Sequence, residues 1–583
     1  MKNILINIIL ISGFVFINSC KKDILNRPPL DAIGESQFFK TPGDLRIYVN
    51  QFYNTSNLPL SFVLTGFNSA PYPTDNIAAA NQEPIFWGLR VLDNAGGIPF
   101  SAVRSINYFF EKYKKVQENY SLNDYKQYLG EAYFFKAVIY FNLLRSYGDI
   151  PWINEVPGTS SPLLNKPRDS RSLVADSIIA CLDNAVTLLT PNKTSGASRI
   201  NKWVALLVQS RVALFEGTWE KYHAGDPFGV ANSQANKYFN KAADAAAQII
   251  SSGVYSIYNT GHPVSDYYDL FIMRDYSTNP EVMLWKNYDN AVGKGNAGFA
   301  NAPNYYAAFP RGITITKGLA DSYLCTDGKP ISVSPVFMGH NSITDEAKNR
   351  DLRFRQTIAT PGDVWFIKQD GSIESYYDDL YNKLLNNGDN YNTPTGYVIR
   401  KRYDARRIYQ IPTVEGSPII VFRYAEVLLN YAEAKAELNT LTQNDIDISI
   451  KKLRDRVGMP NLDISNITAD PNWDFPGLSP IINEIRRERR VELATERFRY
   501  DDIRRWAAAD ELIIDKRPKG FKASQIHSPA TNPFAVDADG FLDPLKASLP
   551  NGFGFKLDRD YLDPIPKTEI ILNSALTQNP GWK

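Results

Sequence analysis

Cysteine and histidine are both scarce in this chain of 583 residues. Three cysteines are too few for a disulfide framework, although one bridge between Cys181 and Cys325 stays open. Four histidines occur, at His223, His262, His340 and His527. None has a His, Cys or acidic partner at the spacing of metal ligands, so we predict a surface or loop position for each. We expect no metal site and no cofactor.

Net charge is also lacking, because 64 basic residues face 63 acidic ones. A chain with almost no net charge lacks the excess positive charge that favours binding to nucleic acid or to an anionic membrane surface. Glycine-rich phosphate loops, G-x-S-x-G elbows and H-E-x-x-H motifs are absent as well. The segment "DADGFLD" (537–543) resembles a calcium loop weakly, but it lacks the order of acids and the closing glutamate, so it predicts a turn.

The longest apolar run is too short to span a membrane. It extends from Ile4 to Ile17, after Lys2, whereas a spanning helix needs roughly 18 residues or more. This arrangement is typical of a secretory signal. Ile17-Asn18-Ser19-Cys20 resembles a bacterial lipobox, which predicts cleavage before Cys20 and acylation of its thiol. The alternative is an ordinary signal peptide that happens to contain a cysteine.

Helical patterns dominate the rest of the chain. They cover 122–148, 201–219, 235–255, 423–439, 446–458 and 480–507, and the first ends at Gly148 with Pro151 beyond it. Helices that arrive in pairs are typical of tetratricopeptide-like repeats. The sequence therefore predicts a mainly α fold, a helical-repeat scaffold that carries a large loop-rich face and a few short hairpins.

The predicted loops are rich in aromatic and amide side chains. Sugars present flat C–H faces and several hydroxyl groups around the ring, so a glycan site needs exposed Trp or Tyr beside Asn, Asp or Arg. The loop residues that meet this pattern are Tyr72, Asp75, Asn81, Trp87, Asn304, Tyr305, Tyr306, Trp365, Tyr376 and Tyr377. For any one of these aromatics, packing in the core is the alternative role.

An array of acids recurs every fourth residue in the last helical pattern. It consists of Glu484, Glu488, Glu492 and Glu496, which share one face of a helix with arginines three or four residues away. A glycosidase needs one carboxyl group with a raised pKa, whereas neighbouring arginines hold carboxylates ionised. We interpret the array as an ion-pair network that fixes this segment to its neighbours.

Several longer stretches resemble the SusD/RagB family of outer-membrane nutrient-binding lipoproteins of Bacteroidetes. They include "GEAYFFKAVIYFNLLRSYGDIPW" (130–152), "NPEVMLW" (279–285), "GLADSYLCTDGKPI" (318–331), "FRYAEVLLNYAEAKAEL" (422–438), "IRRERRVELATERFRYDDIRRW" (485–506) and "YLDPIPKTEIILNSALTQNPGW" (561–582). These stretches are similar to the family signatures in order and spacing, and the match covers essentially the whole chain after the signal segment. In place of the Met or other apolar residue that the family more often has, this chain has Cys325.

The resemblance implies about four tetratricopeptide-like helix pairs and a function without catalysis. It implies a signal peptide over 1–19, an N-terminal helical part over 20–255, and a C-terminal part over 256–583 that forms one compact unit with it. The protein would be a lipoprotein anchored in the outer membrane and facing the exterior. It would capture an oligosaccharide and pass it to a SusC-like TonB-dependent transporter.

Two other functions stay open at this point. A member of the same family could capture peptides instead of sugars. A surface glycoside hydrolase would need two unpaired carboxylates about 5–9.5 Å apart in a cleft, and the sequence singles out no such pair.

Overall fold

The computed structural model describes residues 38–54, 56–58, 74–79, 83–92, 97–193, 199–288, 313–368, 370–375, 393–406, 417–526 and 535–582. Its helices are α1 (Pro42–Asn50), α2 (Phe100–Gln117), α3 (Leu122–Tyr147), α4 (Arg171–Leu188), α5 (Lys202–Tyr222), α6 (Ala235–Ser252), α7 (Asp266–Ile272), α8 (Lys317–Ser322), α9 (Ile343–Ala347), α10 (Arg353–Thr357), α11 (Tyr424–Glu437), α12 (Gln443–Ile448), α13 (Ile450–Arg456), α14 (Pro480–Glu492), α15 (Arg499–Arg505), α16 (Ala509–Leu512) and α17 (Lys567–Leu572). The strands are β1 (Ile77–Ala78), β2 (Val282–Lys286), β3 (Thr314–Ile315), β4 (Val364–Ile367), β5 (Ile373–Ser375) and β6 (Ile419–Arg423).

Helix α3 shows how local signals set the helix boundaries. A capping box between Ser121 and Asp124 starts it, and Gly148 ends it with a φ of 70°. Between these caps the helix buries nearly every side chain from Phe134 to Leu144, as the absence of a polar face predicts. A helix of this kind must lie inside the protein, with other helices packed on several sides.

The long helices pack in the order in which they occur in the sequence. Helix α2 packs on α3, α3 on α4, α4 on α5, and α5 on α6, and α6 then contacts α11 across a large separation in sequence. One continuous hydrophobic core runs through these helices. This arrangement confirms the mainly α, helical-repeat scaffold.

Strands are few and short in the described residues. Antiparallel β4 and β5 form a local hairpin, whereas β1 pairs with β3 and β2 pairs with β6 over long separations in sequence. The β1–β3 pair joins the N-terminal part to the C-terminal part, whereas β2 and β6 both belong to the C-terminal part. Two of the three strand pairs are therefore long-range connections and not the local hairpins that the sequence suggested.

The segment predicted as one helix over 480–507 is divided into α14 and α15, and α16 begins just beyond it at Ala509. Thr495, Arg497 and Ala507 adopt left-handed backbone conformations, with φ of 67°, 70° and 49°. A non-glycine residue in this region costs free energy, which buried contacts must offset. The predicted helix over 446–458 is likewise two helices, α12 and α13, because Ser449 leaves the helical region.

The surface position predicted for the histidines is wrong for His223. Its side chain is fully buried at the end of α5 and stacks on Trp219, with ring centroids 4.0 Å apart. Its Nδ1 lies 2.5 Å from Asp226 Oδ2 and its Nε2 lies 2.8 Å from the carbonyl oxygen of Arg504. Apolar helix residues surround it, so partners for both ring nitrogens allow its burial.

The two described cysteines are free. Cys181 and Cys325 are both buried and unbridged, and burial raises the pKa of the Cys181 thiol to about 11. Buried thiols of this kind behave as small apolar side chains. The bridge that the sequence left open is therefore not formed.

Candidate functional site

Seven of the ten candidate glycan-contacting residues lie outside the described residues, as does the acylation candidate Cys20. The seven are Tyr72, Asn81, Asn304, Tyr305, Tyr306, Tyr376 and Tyr377. The other three, Asp75, Trp87 and Trp365, have defined surroundings. The structure does not bring these three side chains together in either of the two large cavities of the described residues.

Trp365 is a core residue in this structure. Its side chain is fully buried in β4 and stacks on Tyr403, with ring centroids 4.0 Å apart. Trp87 is 9% exposed and belongs to the main hydrophobic core, where it follows a turn that the Glu83 carboxylate caps. Both rings are packed in hydrophobic cores and do not present a face to solvent.

Asp75 is held by two arginines from the C-terminal helices. Arg499 donates to its carboxylate over 2.9 and 2.6 Å, and Arg490 Nη2 lies 3.0 Å from Oδ2. Burial alone would raise the pKa of Asp75, but Arg499 and Arg490 lower it below its usual value. Asp75 thus fixes the segment before β1 to α14 and α15.

The predicted acid array forms a buried ion-pair cluster, which we call the Glu492 cluster. Its members are Glu281, Asp351, Arg353, Lys401, Arg423, Arg454, Arg456, Glu484, Glu488, Glu492 and Glu496. Glu492 contacts Arg353, Arg423 and Arg456 at 2.7–2.9 Å. Burial would raise its pKa, but Arg456, Arg423 and Arg353 together hold the pKa well below its usual range.

The Glu492 cluster confirms the interpretation of the array as a structural network. A carboxylate with a depressed pKa cannot act as the general acid of a glycosidase at neutral pH. Glu496 belongs to the network although it lies beyond the end of α14, where it accepts hydrogen bonds from Lys401 and Arg423. These contacts account for the strained backbone at Thr495 and Arg497.

The larger cavity has a volume of about 540 Å³ and lies between α3, α5 and α15. Its wall is rich in arginines, which are paired: Arg145 with Asp501, and Arg211 with Glu426 at 2.6 Å. Charges that neutralise one another in this way make a polar interior with little net field. These two ion pairs join α3 to α15 and α5 to α11 around the cavity.

The second cavity is an open cleft of about 450 Å³, which we call the Trp473 cleft. It is bordered by α8, by the loop that precedes α14, and by the basic segment from Lys516 to Lys519. Trp473 lies in that loop between Asn472 and Asp474, and it is partly exposed. An aromatic ring beside an amide and a carboxylate is the pattern that sugar recognition requires.

Sequence reasoning missed Trp473, although a signal was present. The stretch "DPNWDFPG" (470–477) places Trp between Asn and Asp within a turn-rich loop, the same pattern that selected the other candidates. The loop is only about 20 residues long and separates two helical patterns, so it did not stand out among the longer loops.

Metal sites and membrane-spanning helices are not indicated by the described residues. No group of three or more His, Cys, Asp or Glu side chains in that part of the chain could hold a metal ion. None of its helices combines the length and the apolar character that a membrane crossing requires. The segment 537–543 is a turn, in which Asp537 accepts from the backbone N–H groups of Asp539 and Phe541, as predicted.

Family models match two adjacent parts of the chain. The model described as the SusD family covers residues 226–582, which is more than half of the chain. The chain belongs to the SusD family. A second model, described as starch-binding associating with outer membrane, matches residues 97–214 of this SusD-family chain. The resemblance that the sequence motifs indicated is thus confirmed.

Known relatives match this chain over nearly their whole length. SusD-like protein P38 of Formosa agariphila is 25% identical over 542 residues, which is 88% of this chain and 93% of that protein. A SusD-like carbohydrate binding protein from Bacteroides fragilis is 21% identical, with a TM-score of 0.70 and coverage of 93% of this chain and all of that structure. A laminarin binding SusD-like protein is 16% identical, with a TM-score of 0.57 over the same shares.

Proposed function

We propose that this SusD-family chain is a non-catalytic lipoprotein that captures oligosaccharides at the cell surface. Acyl chains on Cys20 hold it at the outer membrane, and it delivers the bound glycan to a SusC-like TonB-dependent transporter. The observation that carries the proposal is the family match over residues 226–582 together with the match of residues 97–214 to a family described as starch-binding.

Two features of this chain support binding without turnover. The acids that would be the best candidates for glycosidase chemistry, Glu488, Glu492 and Glu496, are buried in ion pairs with arginines. The Trp473 cleft offers an aromatic ring with polar neighbours, which suits recognition of hydroxyl groups. In addition, segments that the sequence predicts as loops, outside the described residues, carry Tyr72, Tyr305, Tyr306 and Tyr376, residues that can stack on sugar rings.

The ligand contacts are tested by truncating the loop aromatics one at a time. Tyr72→Ala, Tyr305→Ala, Tyr306→Ala and Tyr376→Ala are each compared with wild type by calorimetric titration against the glycan that an array identifies as best retained. Loss of a stacked ring weakens binding by about 5- to 150-fold, from a typical 1–3 kcal/mol per ring. We expect this loss for at least one of the four variants.

Trp203→Ala is the matched control for these variants. Trp203 is a partly buried aromatic residue on α5, where its Nε1 donates to the carbonyl oxygen of Pro191 at 2.6 Å. Its replacement should leave the affinity for the glycan unchanged. Unchanged affinity in all four tyrosine variants would refute the assignment of the site to these loops, and failure of the wild-type protein to retain any glycan would refute the function.

A further inference from the structure

The C-terminal helix α17 leaves two adjacent apolar side chains in solvent. Ile571 is 80% exposed and Leu572 is 78% exposed, whereas their neighbour Ile570 packs against the main hydrophobic core. They are the two most exposed large apolar side chains in the described part of the chain. Single exposed apolar residues are common on protein surfaces, but a contiguous group indicates a surface that something covers.

A third exposed apolar side chain lies beside this helix. Asn573, directly after α17, donates from Nδ2 to the carbonyl oxygen of Lys166 at 2.9 Å. This hydrogen bond places the short turn Pro162–Asn165 next to the helix, and Leu164 in that turn is 47% exposed. We call these three side chains the α17 patch: Leu164, Ile571 and Leu572.

The N-terminal tether joins the folded protein close to α17. Phe39, at the start of the described residues, packs on Tyr108 of α2 with ring centroids 5.7 Å apart. Helix α2 begins at Phe100, and just before it the N–H group of Ile98 donates to Glu569 of α17 at 3.2 Å. Phe100 and Tyr108 are separated by about 12 Å along the helix axis. One half of α2 therefore connects the start of the folded chain to the helix that carries the patch.

The tether is long enough for the anchor and the patch to reach one bilayer. Residues 21–37 lie between the acylation candidate Cys20 and the first described residue, Phe38. A chain of this length spans at most about 60 Å. Because the acyl chains already hold the protein at the membrane, the effective lipid concentration at the patch is high, and a small apolar surface is sufficient for contact.

The size and the chemistry of the α17 patch favour a lipid surface over a protein partner. Stable protein interfaces bury about 800 Å² on each partner and centre on Trp, Tyr or Arg side chains. The patch consists of three aliphatic side chains only. Aliphatic side chains on a helix can enter the boundary between lipid headgroups and acyl chains without any specific partner.

We propose that the α17 patch inserts into the membrane that holds the acylated Cys20. Leu164, Ile571 and Leu572 enter the acyl-chain boundary, and α17 lies at the membrane surface. The contact is apolar, so it does not need the excess positive charge that this chain lacks. Together with the anchor it fixes which side of the helical scaffold faces the membrane. The inference rests on the lipid anchor of the proposed function and adds a lipid-binding surface in the folded part of the chain.

The insertion is tested with a fluorescent probe on a single cysteine. Ile571→Cys and Leu572→Cys are each labelled with a nitrobenzoxadiazole probe in the acylated mature protein, where lipid blocks Cys20 and the other cysteines, Cys181 and Cys325, are buried. The vesicles are phosphatidylcholine with bromine near the headgroup end or near the methyl end of the acyl chains. We expect blue-shifted emission and stronger quenching from the headgroup end, because such side chains reach only about 5–10 Å into the boundary.

Ile47→Cys is the matched control. Ile47 is 58% exposed on α1, next to Tyr48, whose ring lies 5.0 Å from that of Phe39. The probe there is close to the start of the tether but outside the α17 patch, so its emission should not shift and bromine should not quench it. Thermal unfolding of each labelled variant should match that of the wild-type protein.

The outcomes separate this inference from the proposed function. Quenching at positions 571 and 572 with an unquenched control supports the insertion. If the protein floats with the vesicles but these probes behave like the control, the anchor stands and the insertion is wrong. If the protein does not float with the vesicles, the anchor fails and the insertion fails with it. Shielding of the probes only in vesicles that also contain a transporter would identify a protein interface and would overturn the proposal.

Discussion

Glu492→Gln is expected to lower the free energy of unfolding by about 3–5 kcal/mol, the usual result of removing one partner from a buried ion pair. Glu492 is fully buried and binds Arg353, Arg423 and Arg456. Glutamine has the same shape but no charge, so three buried guanidinium groups lose a shared counterion. Denaturant unfolding of the two proteins measures the difference.

The pH dependence of the same two proteins gives a second measurement. The pKa of Glu492 lies well below its usual range in the folded protein, because the arginines outweigh the opposing effect of burial. A depressed pKa contributes stability that is fully present above the unfolded value, about pH 4.3, and is lost as the pH falls toward the folded value. Wild type should therefore lose more stability than Glu492→Gln as the pH falls below about 4.

An exposed ion pair provides the control for Glu492. Asp455 and Lys451 lie about 40% exposed on α13, so Asp455→Asn should change the free energy of unfolding by less than about 1 kcal/mol. If Glu492→Gln were as mild as this control, the Glu492 cluster would not hold α14 to its neighbours, and the structural interpretation of the acid array would be wrong.

Cys20→Ala is expected to abolish acyl labelling and surface retention. The thiol of Cys20 is the only site in the lipobox that can accept diacylglycerol, and two or more acyl chains are needed for stable anchoring. Metabolic labelling with a palmitate analogue should mark the wild-type protein and not the variant, which should no longer be held at the cell surface. Glycan binding by the purified variant should equal that of wild type.

Ser19→Ala is the matched control for Cys20→Ala. It changes the neighbouring residue and leaves a small side chain before the cysteine, so acylation and retention should persist. A Cys20→Ala protein that still carried acyl label and stayed in the membrane fraction would contradict the lipobox, and an ordinary signal peptide would then be the better interpretation of residues 1–19.

The helical scaffold could be predicted from the sequence because its signals are local. The Ser121 and Asp124 capping box, the apolar run from Phe134 and the stop at Gly148 give the limits of α3 directly. The breaks within 480–507 could not be predicted, since they depend on contacts of Glu496 with Arg423 and Lys401 from distant segments. Helix propensity says nothing about such contacts, and the buried ion pairs override it.

The candidate site, too, could be predicted from the sequence only in part. Residue pattern alone cannot tell an exposed aromatic from a core aromatic, so Trp365 was a reasonable candidate, but it stacks on Tyr403 inside the protein. Trp473 was missed because its loop is short, and its value became visible only when α8 and the segment after Lys516 were placed around it. Tertiary packing, which a sequence pattern does not contain, decides both cases.

One carboxyl group makes a direct test for hydrolysis necessary. Partial burial and the neighbouring Asp510 raise the pKa of Glu511 to about 7, although Glu511 is an exposed residue beside an exposed Asp510. Glu511 lies on the short helix α16 and does not line either of the two large cavities in the described residues. A direct assay for hydrolysis therefore tests the claim of binding without turnover.

The central claim is tested most directly by following one glycan through binding and release. The mature protein, without residues 1–19, is incubated with the best-retained glycan, the complex is isolated, and the sugar is recovered and sized by mass spectrometry. Saturable binding with quantitative recovery of the intact glycan is the predicted result. Shortened products at a rate proportional to protein concentration, and absent with Glu511→Gln, would contradict the claim and identify the chain as a hydrolase.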